Sequence, residues 1–274
     1  MWIKKFDIIK LSEDIRKIVD GQEIDLLDNR EGVWAILKND IHTLANQKNE
    51  QMNVILRERD VMAETLANIS HQLKTPLTSI MIIADLLDKA PPDKQAEFAS
   101  HMKKGLTRMD WLVSSLLKMA KLDTGTVEFS MKSIQTSELA NLALEALQVM
   151  LYVKNQTVEI SGETEILCDK RWTAEALTNI LKNASEHSPE NGKILIKSGM
   201  NPICRWISIT DSGEGLTDRK IASLFQRFAG SNNEKGYGIG LPLALAIVRG
   251  QNGDIEVNGG GNDSGATFTL KFYK

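Results

Sequence analysis

The sequence predicts a multidomain protein, in which an all-α part with a coiled coil and a helical bundle is followed by an α+β sandwich. Apolar residues recur at three- and four-residue spacing from Ile3 to about Asp123, which is typical of amphipathic helices. The stretch "TGTVEFS" (124–130) then marks a boundary, and short strands alternate with helices beyond it. Because several strands are adjacent in the chain, we expect a mixed or largely antiparallel sheet with helices on one face.

The composition fits a globular protein and narrows its partners. The chain has 274 residues, enough for about two domains, and 42% of them are hydrophobic. Its net charge of −3 provides no basic surface, so we expect no nucleic-acid partner. Cys168 and Cys204 lie far apart without a metal-binding spacing, so we expect buried, reduced thiols rather than a disulfide or a zinc site.

No segment of the chain predicts a membrane span. The longest apolar run, "IMIIA" (80–84), is far shorter than the roughly 20 residues that cross a bilayer, and no signal-peptide pattern is present. The opening "MWIKKF" nevertheless puts Trp2 and Phe6 around two lysines, which suits the cytoplasmic edge of a membrane helix. The start of an ordinary amphipathic helix is the alternative.

The N-terminal segment predicts two helices, the first ending near Gly21 and the second beginning near Arg30. The second helix carries a heptad seam that is apolar at both ends and polar in its middle. The seam positions are Leu37, Ile41, Leu44, Lys48, Gln51, Ile55, Glu58, Met62, Thr65 and Ile69. We expect a dimeric coiled coil that is weakest in its middle, and a plain linker helix is the alternative.

Residues 60–123 predict a helical hairpin whose arms are separated by "APPDK" (90–94). Each arm has one apolar face. The face of the second arm consists of Phe98, Met102, Leu106, Met109, Leu112, Val113, Leu116 and Met119. A lone hairpin cannot bury two such faces, so two chains are expected to form a four-helix bundle, and we predict a homodimer.

The remainder of the chain alternates strands and helices. We predict strands near 126–131, 158–160 and 165–168, helices at 137–154, 172–187 and 241–250, and two hairpins, 193–198 with 203–210 and 254–257 with 266–272. A glycine-rich stretch lies between the first hairpin and the last helix.

Three short patterns in this C-terminal part suggest nucleotide binding. Glu175, Asn179 and Asn183 share one helix face, and amide oxygens suit Mg²⁺, which takes few protein ligands beside water and phosphate. "ITDSGEGL" (209–216) places Asp211 at a strand end, where a buried carboxylate can accept a hydrogen bond from an exocyclic amine. "GYGIGL" (236–241) leads into a helix N-terminus, which favours phosphate. Each pattern alone is weak evidence, and their combination in this order is much stronger.

The helical hairpin contains an unusual stretch, "NISHQLKTPLTSI" (68–80), in which Pro76 lies inside a predicted helix. Proline destabilises a helix interior by about 3 kcal/mol, so an ionisable His71 beside such a defect raises the question of a function.

Six motifs answer that question, because in family order they resemble those of a two-component sensor histidine kinase of the HisKA type. "SHQLKTPL" resembles the phosphoacceptor box, "NILKNA" the asparagine box, "DSGEGL" and "GYGIGL" the two glycine boxes, "LFQRF" the phenylalanine box and "SGATFTL" the closing motif. The resemblance implies a dimeric phosphotransfer hairpin (60–125) and a catalytic domain (126–274) with the GHKL, or Bergerat, ATP-binding fold. It also implies ATP and Mg²⁺ as cofactors, and the receiver domain of a response regulator as partner.

By this resemblance, His71 is the phosphoacceptor, and Thr75, one turn away, orients a water when the kinase acts as a phosphatase. Histidine side chains ordinarily have a pKa near 6.5, so a neutral imidazole is available as a nucleophile at cellular pH. The next position usually holds an acidic general base in the family, and here it holds Gln72, which cannot take up a proton. Phosphoryl transfer depends mainly on positioning and charge neutralisation, so we predict activity without assigning a base.

The resemblance also implies a nucleotide site, in which Asn183 binds Mg²⁺, Asn179 supports the ion or the phosphates, and Asp211 accepts a hydrogen bond from the adenine amine. Arg227 is placed to reach the phosphates, and residues 229–236 form a lid over ATP, with an ordinary loop as the alternative. The implied nucleotide-binding residues are Asn179, Asn183, His187, Asp211, Gly213, Gly215, Arg227, Gly236, Gly238, Gly240, Leu241 and Thr267.

Two of these residues lie at the edge of the implied pocket, and one neighbour departs from the family. His187 occupies a position where the family often has an aromatic residue, so we assign it to the pocket wall. Thr267 is assigned to the support of the adenine. Glu186 stands where a basic residue is common, and a like charge near phosphates would weaken ATP binding.

The first 59 residues resemble a HAMP-like signal relay, with Glu31–Gly32 at the acidic–glycine position of that module. This resemblance implies membrane helices before Trp2. The chain would then be the cytoplasmic part of a sensor in a bacterial inner or plasma membrane.

We therefore expect a dimeric histidine kinase that autophosphorylates His71 and passes the phosphoryl group to an aspartate of a response regulator. Two alternatives remain. A different ATPase or serine kinase of the GHKL fold would lack the hairpin with "SHQLKTPL". A degenerate kinase that serves as a scaffold or mainly as a phosphatase is supported by Gln72 and Glu186, and opposed by Asn183, Asp211 and the glycine boxes.

Overall fold

The protein is described here by a computed structural model that covers residues 5–19, 33–87, 90–228, 238–260 and 265–274. The chain divides into two compact units, Met1–Ser70 and His71–Lys274. The predicted positions Gly21 and Glu31–Gly32 and the lid at 229–236 lie outside the described residues.

The first unit contains α1 (Lys5–Val19) and the N-terminal two thirds of α2 (Val33–Leu87), as the helical periodicity predicts. Leu11 of α1 and Ala35 of α2 are buried. Several predicted seam positions of α2 are exposed in the single chain, namely Leu37, Leu44, Ile55 and Met62. An apolar seam that one chain leaves exposed fits the expected pairing with a second chain.

The second unit begins with the rest of α2 and with α3 (Pro92–Asp123). The helix α2 continues through Pro76. The helix α3 begins at Pro92, where a missing N–H leaves no helical hydrogen bond unmade, and Pro91 is its N-cap. Leu112 and Met119 of the predicted apolar face of α3 are buried, whereas Leu106 and Val113 are exposed.

The elements after α3 form the α+β part of the second unit. In chain order they are β1 (Met131–Gln135), α4 (Thr136–Val153), β2 (Thr157–Ser161), β3 (Glu165–Asp169), α5 (Lys170–His187), β4 (Lys193–Met200), β5 (Cys204–Thr210), α6 (Asp218–Ser223), α7 (Gly240–Arg249), β6 (Gly253–Asn258) and β7 (Thr267–Tyr273). Five strands form a mixed sheet in the order β2-β4-β5-β7-β6, in which β2 and β4 are parallel and the other pairs are antiparallel.

Helices cover the sheet through a core of fully buried aliphatic side chains. α5 packs against α4, α7 and β5, and α7 also packs against β6 and β7. The sheet contributes Ile194, Ile196, Ile207, Ile209, Phe268 and Leu270, each almost fully buried. The predicted fold class, helices followed by an α+β sandwich, is confirmed. No helix within the described ranges is long and apolar enough to cross a bilayer.

One local prediction was wrong, and one short helix was not predicted. The strand expected near 126–131 begins at Met131, and β1 pairs antiparallel with β3 in a separate two-stranded sheet. The segment "TVEFS", in which polar and apolar residues alternate, instead carries Phe129. The Phe129 ring packs edge-on against Trp172, with ring centroids 6.0 Å apart. The short helix α6 was not predicted, although Thr217 caps it by accepting a hydrogen bond from Lys220 N at 3.4 Å.

Candidate functional site

His71 lies on α2 with an exposed side chain, four residues before Thr75. The Thr75 hydroxyl donates to the carbonyl of His71 at 3.2 Å, which fixes it on the same turn of the helix. Pro76 has no N–H to donate to the carbonyl of Gln72 four residues earlier. The turn that carries His71, Gln72 and Thr75 is therefore an accessible, locally weakened part of an otherwise continuous helix.

The N-terminus of α5 is fixed by a buried network of polar side chains. Asp169 caps the helix by accepting hydrogen bonds from Arg171 N at 3.0 Å and Trp172 N at 3.1 Å. Gln251 accepts from Asp169 N at 2.6 Å and from the Thr173 hydroxyl at 3.3 Å. This network, which the sequence analysis did not identify, sets the position and rotation of the helix that carries the asparagine stripe.

Asn179 lies in the middle of α5, next to Gly240 at the N-terminus of α7, and Asn183 follows it one turn later. Asn179 is only 7% exposed, and its amide nitrogen donates to the carbonyl of Glu175 at 3.0 Å. A Cβ atom added to Gly240 would lie 3.0 Å from Asn179 Oδ1, so a larger residue at this position would crowd the Asn179 side chain. Asn183 is half-buried one turn further on. The Glu175 carboxylate, by contrast, points away and pairs with Lys118.

The last turn of α5 is held by a lysine and a glutamine that follow α4. The Lys154 ammonium donates to the carbonyl of Ser185 at 2.5 Å and to those of Glu186 and Ser188 at 3.3 Å. Gln156 is buried and donates to the same end of the helix, while accepting from the Ser185 hydroxyl at 2.6 Å. A cation at a helix C-terminus is favourable, and here it secures the segment that ends in His187.

Asp211 lies at the end of β5 and is 6% exposed. Its Oδ1 accepts hydrogen bonds from Gly213 N at 2.8 Å and Ala266 N at 3.1 Å. Burial raises the pKa of this carboxyl, and the two backbone donors and nearby His187 oppose that rise in part. Oδ2 accepts no hydrogen bond from the described part of the chain, so it remains available to a ligand donor.

The surroundings of Asp211 bring together four more of the predicted residues. The hydroxyls of Thr210 and Thr267 are hydrogen-bonded to each other at 2.9 Å. A Cβ on Gly213 would lie 2.7 Å from the carbonyl of His187, so the turn after Asp211 packs closely on the end of α5. His187 is exposed, and Gly215 has a φ of 77°.

The second glycine box is described from Gly238 onward. Gly238 has a φ of 65°, and its carbonyl accepts from Phe228 N at 2.9 Å. Gly240 and Leu241 lie in the first turn of α7, whose N–H groups have no partner within the helix, and Gly240 lies beside the Asn179 side chain of α5. Gly236 lies outside the described residues.

Arg227 was predicted to reach phosphates, and in this structure its Nη2 lies 2.7 Å from Oδ1 and 2.8 Å from Oδ2 of Asp123 at the end of α3. Neither Asp123 nor Lys118 was identified from the sequence. The pairs Asp123–Arg227 and Lys118–Glu175 join residues 104 and 57 positions apart, so no local pattern reveals them.

The arrangement combines an amide pair, a buried carboxylate and a helix N-terminus, which suits a purine with phosphates. No group of three His, Cys, Asp or Glu side chains in the described ranges forms a metal site. Amide oxygens together with phosphate and water are ligands that Mg²⁺ favours.

Comparison with family models identifies two domains. Residues 61–125 match the His Kinase A (phospho-acceptor) domain. Residues 168–274 match the ATPase domain of histidine kinases, DNA gyrase B and HSP90. The predicted domain boundaries at 59/60 and 125/126 stay predictions.

Curated relatives and solved structures agree with these matches. The chain is 26% identical to the Sensor protein CreC of Escherichia coli over 259 residues, which is 93% of this chain and 52% of the relative. It resembles the Acinetobacter baumannii histidine kinase AdeS with a TM-score of 0.63 at 22% identity, over 74% of this chain and 97% of that one. It also resembles the histidine kinase ThkA, solved in complex with the response regulator protein TrrA. The TM-score is 0.63 at 20% identity, and the match covers 83% of this chain and 66% of the ThkA chain.

The chain therefore belongs to the sensor histidine kinases. The likeness to AdeS and ThkA concerns the fold. The chain spans about half the length of the first curated relatives that it matches, at 52% and 54%.

Proposed function

We propose that this protein is an ATP-dependent histidine kinase that phosphorylates His71 and passes the phosphoryl group to an aspartate of a response regulator. The observation that carries the proposal is an exposed His71, followed one turn later by Thr75, in a chain that also holds a buried Asp211 whose Oδ2 accepts no hydrogen bond from the described residues. We further propose that Thr75 orients a water for dephosphorylation of the regulator.

The chemistry is a transfer between two nucleophiles. A neutral nitrogen of the His71 ring attacks the γ-phosphorus of ATP, a P–N bond forms, the bond to the ADP oxygen breaks, and ADP leaves with its electron pair. The regulator's carboxylate then attacks the same phosphorus and frees the imidazole. Asp211 would hold the adenine, Asn183 would hold Mg²⁺ together with water and phosphate oxygens, and the N-terminus of α7 would stabilise the phosphates.

The assembly that we propose is a homodimer formed through α2 and α3. Its support is the exposed apolar residues of both helices, such as Ile55, Met81 and Leu117. We also propose that a HAMP-like relay (1–59) connects this kinase to membrane segments outside the present chain, as the resemblance of its N-terminus implies.

A second candidate function is a scaffold or phosphatase with little kinase activity. Gln72 favours it, because a glutamine beside His71 cannot accept a proton. The intact nucleotide residues favour the kinase instead, since a scaffold has no need of a buried Asp211.

The deciding experiment incubates the protein with γ-labelled ATP and Mg²⁺ and follows acid-labile, base-stable phosphate. We expect label in the wild type and none in His71→Ala. His101→Ala is the matched control, because His101 is exposed on α3 and pairs only with Glu97 among the described residues. We expect Gln72→Glu to label about tenfold faster or more, by restoring a base.

Two results would change the conclusion. Equal label in the wild type and in His71→Ala would place the phosphoryl group on another residue. Absence of label in a wild type that binds ATP would favour the phosphatase, which a Thr75→Ala variant then tests through loss of regulator dephosphorylation.

A further inference from the structure

The face of α3 that meets the catalytic domain carries matched electrostatic contacts to α5. Lys118 Nζ lies 2.8 Å from Glu175 Oε2, and Lys182 Nζ lies 4.9 Å from the centre of the Trp111 ring. On α3 the two contact residues, Trp111 and Lys118, are seven positions apart, and so are their partners on α5. The earlier residue of α3 contacts the later residue of α5, and the later residue of α3 contacts the earlier one. Seven residues make two helical turns, so α3 and α5 run antiparallel here with matching faces.

A buried strip lies between these contacts. Leu112, Ser115 and Met119 of α3 are at most 3% exposed. Ser115 follows Trp111 by four residues and precedes Lys118 by three, so it lies on the same face of α3 as both. α3 also packs against α7. The catalytic domain therefore covers this strip within a single chain.

A third contact links this surface to the nucleotide site. Asp123, the last residue of α3, forms an ion pair with Arg227. Phe228, which follows Arg227 in the chain, donates its N–H to the carbonyl of Gly238 in the second glycine box. Glu175, the partner of Lys118, accepts through its carbonyl from Asn179. Each ion pair therefore contains a residue that is hydrogen-bonded, directly or through its neighbour in the chain, to a residue of the proposed nucleotide site.

We propose that the ion pairs Asp123–Arg227 and Lys118–Glu175 form a latch that holds the catalytic domain on α3, and that bound ATP opens it. The proposal rests on the proposed role of Arg227 toward the phosphates. One guanidinium nitrogen bridges both oxygens of Asp123, and a triphosphate arriving at Arg227 brings like charge against that carboxylate. ATP and Asp123 therefore compete, and ATP binding favours the released domain.

The chain next to the latch is built as a pivot. The hydroxyls of Thr124 and Thr126 cap the last carbonyls of α3 at 2.9 and 3.2 Å. Gly125 between them has a φ of 64° with open space around it. A turn of the domain about Gly125 would break the hydrogen bonds from Thr126 to the carbonyl of Lys121, while the Thr124 hydroxyl would still cap α3.

The test uses the buried strip as a reporter. Ser115→Cys is nearly isosteric, and its labelling by a maleimide measures how often the strip is uncovered. Cys168 and Cys204 are buried, and the wild-type protein, which has both, provides the background rate. The nucleotide is the non-hydrolysable AMP-PNP with Mg²⁺, and its binding is measured separately by calorimetry.

We expect Ser115→Cys to label slowly, and AMP-PNP to accelerate labelling about two- to fivefold, as loss of one half-exposed ion pair allows. Adding Asp123→Asn should accelerate labelling equally without nucleotide and leave little further effect of AMP-PNP. Raising NaCl from about 0.05 to 1 M should also accelerate it, because salt screens such pairs. Asp110→Asn is the matched control, since Asp110 is exposed on α3 and has no ion pair among the described residues.

Two outcomes would overturn the latch. One is a protein that binds AMP-PNP and yet labels at the same rate with and without it. The other is Asp123→Asn labelling no faster than Asp110→Asn. Absence of AMP-PNP binding would instead contradict the proposed function, and the nucleotide-free comparison of the two aspartate variants would still decide whether the ion pairs hold the domain.

Discussion

The carboxyl of Asp211 is buried at the place where we expect the adenine amine, and burial raises its pKa. The folded protein therefore holds this proton up to a higher pH than the unfolded chain does. By linkage, the free energy of unfolding falls as the pH rises through the window between the two pKa values. The loss of stability caused by the buried charge of Asp211 is absent below the ordinary carboxyl pKa and is complete above the raised pKa of the folded protein.

Asp211→Asn should therefore stabilise the protein without nucleotide while weakening ATP binding. Asparagine keeps an acceptor for Gly213 N and Ala266 N, and it carries no charge to bury. We expect a higher free energy of unfolding than the wild type at neutral pH, and no such gain at about pH 3, in urea titrations. ATP affinity should fall about 10- to 100-fold in calorimetry, because an amide N–H would face the adenine amine.

A wild type and an Asp211→Asn variant whose stabilities differ equally at both pH values would contradict this explanation. Unchanged ATP affinity would remove Asp211 from the proposed site.

Contacts that follow from a local motif could be predicted from the sequence, whereas contacts between residues that are distant in the chain could not. The turn after Asp211 and the approach of Gly240 to Asn179 follow from glycine spacing. The contact of Arg227 with Asp123 depends on how α3 packs on the catalytic domain, and that packing has no local signal.

At the scale of elements, α5 carries Asn179 and Asn183 of the proposed nucleotide site, and both of its ends are fixed by side chains from other elements. Asp169 and Gln251 hold the first turn, and Lys154 and Gln156 hold the last. Fixing both ends defines where Asn179 and Asn183 lie relative to α7.

Lys154→Met should lower the free energy of unfolding by about 1–3 kcal/mol, because the last carbonyls of α5 lose a charged donor in a half-buried place. Chemical denaturation of the chain measures this. Lys193→Met is the control: Lys193 pairs with Glu159 on the surface, and its loss should change stability by less than about 1 kcal/mol. Equal effects of the two substitutions would contradict a capping role for Lys154.

Most elements were predictable because their periodicity is clear, and the misplaced strand shows where periodicity misleads. "TVEFS" alternates like a strand, but Ser130 N donates to Asp169 Oδ2 at 2.9 Å and Phe129 packs on Trp172 and Gly250. Two side-chain contacts hold the segment, and no strand within the described ranges pairs with it. Only the following residues find a partner, in β3.

At the scale of the whole molecule, pairing of two chains follows from what one chain leaves exposed. Ile55 is 58% exposed and Met62 64%, both on the predicted seam of α2. A long helix that exposes a regular apolar stripe in water is stabilised when a second copy covers it.

Ile55→Lys should weaken the dimer by about tenfold or more, since it replaces an apolar seam residue in both chains with a charge. Sedimentation equilibrium measures the dissociation constant. Asn53→Lys, exposed on the same helix and off the seam, should leave that constant nearly unchanged. Equal dissociation constants for the two variants would favour the plain linker helix over the coiled coil.

The connector between α3 and β1, residues 124–130, also acts as a tether of defined reach. His71 lies 16 residues before the end of α2, so its level on the hairpin corresponds to about residue 108 of α3, roughly 22 Å from Asp123 along the axis. Seven extended residues span at most about 25 Å. Once Phe129 leaves Trp172, the reach of the connector is comparable to the axial distance to His71, so we expect a shortened connector to slow phosphoryl transfer from ATP to His71.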